Sequence, residues 1–89
     1  MKRVHAFISG TVQGVTFRAS TRQQAQDTGV DGWVRNLDDG RVEAVFEGDA
    51  DAVAELVNFI HHGPAPADVE DVELTEDEPE GLDGFEVRY

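Results

Sequence analysis

Cysteine is absent from the 89 residues, which rules out a disulfide framework and any thiolate metal site. Lysine occurs once, and with six arginines it faces 19 acidic residues, for a formal net charge of −12. Nucleic acids and anionic membranes are bound through clustered positive charge, so this balance argues against both as partners. The three histidines, His5, His61 and His62, are too few and too badly spaced for a zinc cage, and no metal or other cofactor is expected. Long apolar runs are also missing. The stretch from Met1 to Ser9 starts with positive charge, but His5 and Ser9 interrupt its apolar residues and it is too short for a signal peptide or a membrane span. A cytoplasmic location is expected. With no repeats, low-complexity linkers or composition shifts, residues 1–89 read as a single domain.

What is abundant is carboxylate. Residues 68–83 hold nine acidic side chains and no basic one, which reads as a solvated edge. Self-repulsion on this scale destabilises a small fold unless salt screens it, so the composition fits a halophilic protein, the alternative being an ordinary acidic one.

Hydrophobic periodicity gives the order of elements. Arg3 to Ser9 alternates, with Val4, Ala6 and Ile8 on one face, as a strand does. Arg18 to Thr28 is rich in Ala, Gln and Arg and stops at Gly29, as a helix would. Val30 to Leu37 and Arg41 to Glu47 read as strands joined by the hairpin turn Asp38-Asp39-Gly40. In the second of these, Val42, Ala44 and Phe46 oppose Glu43, Val45 and Glu47. Val53, Leu56, Val57 and Ile60 fall on one face of a helix over 49–62, ended by Gly63-Pro64. Val69 to Thr75 reads as a strand, and Phe85, Val87 and Tyr89 as a short last one. The order βαββαβ plus a short C-terminal strand predicts an α+β, ferredoxin-like sandwich with two helices on one face of an antiparallel sheet. A right-handed crossover makes the first two strands parallel, so the segment after the first and Asn36 near the end of the second should face one another.

That segment is Gly10-Thr-Val-Gln-Gly-Val-Thr-Phe-Arg18. A lean loop leading into a helix N-terminus turns successive N–H groups toward one point, and Arg18 adds a planar fork that matches phosphate oxygens. The pattern is an anion cradle. It contains no cysteine, no Gly-Lys-Ser/Thr ending and no serine–histidine pair, so any chemistry here must use water as the nucleophile.

Residues 10–18, together with Gly32-Trp-Val-Arg-Asn-Leu-Asp-Asp-Gly-Arg-Val-Glu43, closely resemble the two signature segments of the acylphosphatases, and the resemblance continues through Gly63-Pro64 and Ala67–Val72 to Phe85-Glu-Val-Arg-Tyr89. Thr11 and Thr16 occupy positions that are variable in that family, where bulkier, basic or smaller residues are also usual. The resemblance implies hydrolysis of a carboxyl–phosphate anhydride to carboxylate and inorganic phosphate, with neither metal nor covalent intermediate. It implies that Arg18 and backbone N–H groups of Gln13, Gly14, Val15, Thr16 and Phe17 bind the phosphoryl group, and that Asn36 holds the attacking water. A good carboxylate leaving group makes positioning and charge stabilisation more important than a strong base.

Plainer readings stand beside these. Arg18 as a mere surface residue would oppose the helix dipole, so an anion in front of it explains it better. Asn36 alone could simply prepare the hairpin turn, and the Gln13 side chain reads as loop-shaping. Trp33, Phe17 and Phe46 read as core or pocket-wall residues, Arg41 as structural, and the histidines as uninvolved in chemistry. The rival function is a non-catalytic ferredoxin-like module that binds an anion or small ligand. An RNA-recognition module needs a basic aromatic motif that is absent here. A part in a larger carbamoyl-transfer assembly is disfavoured because no further domain is expected. A monomer acting on a small acyl phosphate is the expected form.

Overall fold

The computed structural model describes residues 1–88, in the order β1 (Lys2–Thr11), α1 (Phe17–Thr28), β2 (Asp31–Asn36), β3 (Val42–Gly48), α2 (Ala50–His62), β4 (Asp68–Asp77) and β5 (Phe85–Arg88). Tyr89, the last position of the period-two pattern in the final strand, lies outside the described residues. The expected elements are all present. Their ends differ from the sequence reading by one or two residues: β1 and β4 run further, because pairing extends a strand past its alternating pattern, whereas β2 stops one residue short at each end.

The strands form one sheet in the order β4-β1-β3-β2-β5. β1 and β2 both pair antiparallel with β3, which makes them parallel to each other and brings their C-terminal ends to the same edge of the sheet. Val4, Ala6 and Ile8 of β1, Val34 of β2 and Val42, Ala44 and Phe46 of β3 point to one face, where Ala25 of α1 and Val53, Leu56 and Ile60 of α2 close over them. Each fully buried Val, Leu, Ile or Phe among them contributes roughly 1.5–3 kcal/mol, so this face supplies most of the driving force for folding.

One expectation needs correction. The sheet is mixed rather than antiparallel, because β5 pairs parallel with β2. The chain leaves β4 at the opposite edge and crosses the sheet before β5 begins, so it meets β2 running the same way. Trp33 lies outside the core, and its pocket-wall reading holds: with Leu82, Asp83 and Arg88 it lines a pocket of its own. It stands on the face away from the helices, with the guanidinium carbons of Arg88 and Arg35 at 4.6 and 5.6 Å from its ring centroid.

That second face is built from buried charge. Glu47 is 1% exposed and accepts hydrogen bonds from Arg3 Nη1 at 2.9 Å and from the backbone N–H groups of Glu80, Gly81 and Leu82 at 2.7, 3.1 and 3.0 Å. The segment after β4 is thereby folded back over the sheet, which delivers β5 to its place. Glu43 accepts from His5 Nε2 and Arg35 Nε, both at 2.6 Å. Acidic side chains at 68–77 line the outer strand β4 and are mostly exposed, as a solvated edge should be.

Candidate active site

The loop from Val12 to Thr16 carries two left-handed residues, Gly14 at φ 73° and Thr16 at φ 62°. Thr16 is the one non-glycine residue with positive φ among the described residues. Such a conformation costs a β-branched residue roughly 1–2 kcal/mol, and strain of this kind collects at functional sites. The turn it makes leads directly into α1. The Thr16 hydroxyl donates to the Val15 carbonyl instead of capping the helix, and the first turn of α1 contains no acidic side chain. The leading N–H groups of α1 therefore keep their partial positive charge available to an anion.

Gln13 fixes where this loop sits. Its Nε2 donates to the carbonyls of Leu37 at 2.7 Å and Arg41 at 2.9 Å, on the two sides of the β2–β3 turn. The loop-shaping reading of its side chain is borne out. By tying the loop to the hairpin, this one amide holds the segment after β1 beside the end of β2, and Asn36 is the last residue of β2. A cleft of about 510 Å³ lies there, lined by Gly14, Thr16, Phe17, Arg18 and Asn36 among others. Gln13 and Val15 do not line it with their side chains, and Val15 packs against the core instead.

Asn36 Oδ1 is buried and makes no hydrogen bond among the described residues. An unpaired buried amide oxygen costs on the order of 1–3 kcal/mol, which singles Asn36 out as a candidate functional group of the cleft. The hairpin that a turn-forming asparagine would serve is held without it: Leu37 N bonds to Arg41 O at 2.8 Å, Gly40 N to Leu37 O at 3.2 Å, and Asp39 accepts from Arg41 N at 3.1 Å and Nε at 2.8 Å. Those bonds, the backbone one first, hold the Asp39 carboxyl below its usual range. Arg41 also stacks on Phe7 at 5.0 Å, which bears out its structural reading.

The wall of the cleft beyond Arg18 went unread in the sequence. Arg22, Gln23 and Gln26 of α1 and Val87 of β5 line it. The signal for part of it was available, because positions 18, 22 and 26 recur at one helical turn and must share a face. Val87 had no local signal at all. Among the described residues no group of three His, Asp or Glu side chains is placed to hold a metal ion, and no helix is long and apolar enough to cross a membrane.

Relatives carry the same architecture. A protein from Haloarcula marismortui named acylphosphatase is 65% identical over 98% of this chain and 96% of its own. Another from Haloquadratum walsbyi is 60% identical over 97% and 92%. The crystal structure of acylphosphatase from Bacillus subtilis superposes with a TM-score of 0.96 at 36% identity, covering both chains completely. The family model named Acylphosphatase matches residues 4–87, so that nearly everything described above falls within it and the chain belongs to the acylphosphatase family, enzymes that hydrolyse acyl phosphates.

Proposed function

We propose that the hydrolysis runs by direct attack of water on phosphorus, with Arg18 and the backbone of residues 13–17 holding the phosphoryl group and Asn36 positioning the water. The observation that carries this is that Asn36, which lines the same cleft as Arg18, has a buried Oδ1 with no hydrogen-bond partner among the described residues. A water donating to that oxygen keeps a lone pair for phosphorus. As its oxygen bonds to phosphorus, the bond to the acyl oxygen breaks and the electron pair leaves with the carboxylate. The proton passes to a phosphoryl oxygen, since an amide cannot serve as a general base. The guanidinium and the N–H groups meet the negative charge spread over the equatorial oxygens, which is where such a site gains most of its rate. No metal is needed for any of these steps. The chain acts as a monomeric, single-domain cytoplasmic enzyme on a small acyl phosphate, without a nucleic-acid partner.

Benzoyl phosphate hydrolysed in ¹⁸O-water, with chelator and molar KCl present, provides the test. Label is expected in phosphate and not in benzoate. Asn36→Ala should lower kcat about 10²-fold while inorganic phosphate inhibits as before, the pattern expected when a group acting on the water is lost. Arg18→Gln should weaken phosphate inhibition and kcat/KM together. Phosphate binding without turnover by the unaltered protein would leave only an anion-binding module.

A further inference from the structure

We propose that Arg22 forms, with Gln26, a subsite for the acyl end of the substrate and selects acyl phosphates whose acyl group carries a second anion, such as a carboxylate. The inference rests on the reading of Arg18 as the phosphoryl anchor. Its observations are separate from that reading.

The first is charge bookkeeping on the surface. In a chain of 19 acidic and seven basic residues, a basic side chain should find a carboxylate easily. Lys2, Arg3, Arg35, Arg41 and Arg88 each do, with Glu76, Glu47, Glu43, Asp39 and Glu86 respectively. Arg22 is exposed, and its side chain makes no ion pair or hydrogen bond among the described residues. The sequence of α1 explains why. Its one acidic residue is Asp27, whose Oδ1 accepts a hydrogen bond from Gln23 Nε2 at 3.0 Å. The helix that walls the cleft has been kept almost free of carboxylates while the rest of the surface is crowded with them.

The second observation is placement. Arg22 lies one turn beyond Arg18 and lines the same cleft, followed by Gln26 one turn further on. Four residues of helix advance about 6 Å, comparable with the span from a bound phosphoryl group across a short acyl chain or one aromatic ring. An uncommitted guanidinium at that distance can take a carboxylate in a forked pair, and Gln26 can donate to its free edge. A purely apolar acyl group would leave both unused and would find only the small apolar surfaces of Ala19 and Val87 beside them in the cleft lining. Electrostatics reinforce the choice, because a substrate that carries a carboxylate in addition to its phosphoryl charge needs a local positive lane to approach a chain of net charge −12.

The test compares benzoyl phosphate with 3- and 4-carboxybenzoyl phosphate, each kcat/KM divided by the spontaneous hydrolysis rate at the same salt. The preference of the unaltered enzyme for one of the carboxylated substrates is expected to fall about three- to tenfold in Arg22→Gln, the range for a partly exposed charge pair. Arg22→Lys should keep part of it, because charge remains while the fork is lost. Benzoyl phosphate should lose activity only modestly, through the weaker positive field. Equal losses on all three substrates, or no preference in the unaltered enzyme, would overturn the subsite and leave acyl phosphate hydrolysis standing. Failure to hydrolyse even benzoyl phosphate would remove both readings together. Thermal melts of the two variants within a few degrees of the parent exclude unfolding as the cause.

Discussion

Replacing Glu47 by Gln removes one charge from the face of the sheet opposite the helices, and the structure allows the cost to be worked out. Burial pushes the Glu47 carboxyl up, but the N–H of Glu80, the Arg3 guanidinium and the N–H groups of Leu82 and Gly81 outweigh it and hold the group at about 2, against 4.5 for an ordinary glutamate. That difference corresponds to about 3 kcal/mol of stability at neutral pH. The substitution also turns an NH₂ toward donors that had an oxygen to meet, and leaves Arg3, itself 9% exposed, with only Asp77 at 4.0 Å and Glu80 at 3.4 Å. Breaking one side of a buried pair costs about 3–5 kcal/mol, and the residual partners of Arg3 bring the expected loss to about 2–4 kcal/mol. For a chain of this size that lowers Tm by roughly 10–25 °C.

The pH dependence makes the test specific. Because the folded pKa is depressed, the stabilisation is complete above about 4.5 and is lost as pH falls through about 2. The parent should therefore lose stability across that window by up to one proton's worth more than Glu47→Gln, about 1.4 kcal/mol per pH unit at its steepest. Glu43 is also depressed: burial raises it, but hydrogen bonds from His5 and Arg35 prevail, and it contributes equally to both proteins. Melts of parent and variant from pH 7 to 2 at fixed molar salt measure the difference. Glu47 pairs with Asp31, at the far end of β2 from Asn36, so the folded variant should keep the parent's kcat. A Tm within about 3 °C of the parent, or parallel pH curves, would refute the clamp.

Gly32→Ala should abolish the folded state in the same melts, since a Cβ there would lie 1.8 Å from the Val45 carbonyl oxygen at a φ of 144°, in the row where Phe46 and Phe85 stack at 6.0 Å. Thr16→Asn should raise Tm, because asparagine accepts the left-handed conformation more cheaply than a β-branched residue by about 0.5–1 kcal/mol. An unchanged or lower Tm would show that Thr16 is not strained. Raising KCl from about 0.1 to 3 M, which shrinks the screening length from about 10 Å to below 3 Å, should raise Tm and lower or preserve KM. A falling Tm with steadily climbing KM would mean that the acidic surface is not adapted to salt.

The sequence by itself determined whatever is local. Val4, Ala6 and Ile8 specify a one-sided strand and Val53, Leu56 and Ile60 a one-sided helix, because their spacing matches the period of each element. The lean loop at 10–18 and Arg18 at a helix start are readable for the same reason, and so is the meeting of that loop with Asn36, since the order of strands leaves little choice of topology. Alternation also placed Glu43 and Glu47 on the face away from Val42 and Phe46. What it left open was what covers that face. Only the tertiary structure folded residues 80–82 back onto Glu47, set Trp33 between Arg35 and Arg88, and ran β5 parallel to β2 so that Val87 reached the cleft. These are contacts between residues far apart in the chain. A period of two or 3.6 records which side of its own element a residue faces, and carries no information about the distant segment that will arrive there.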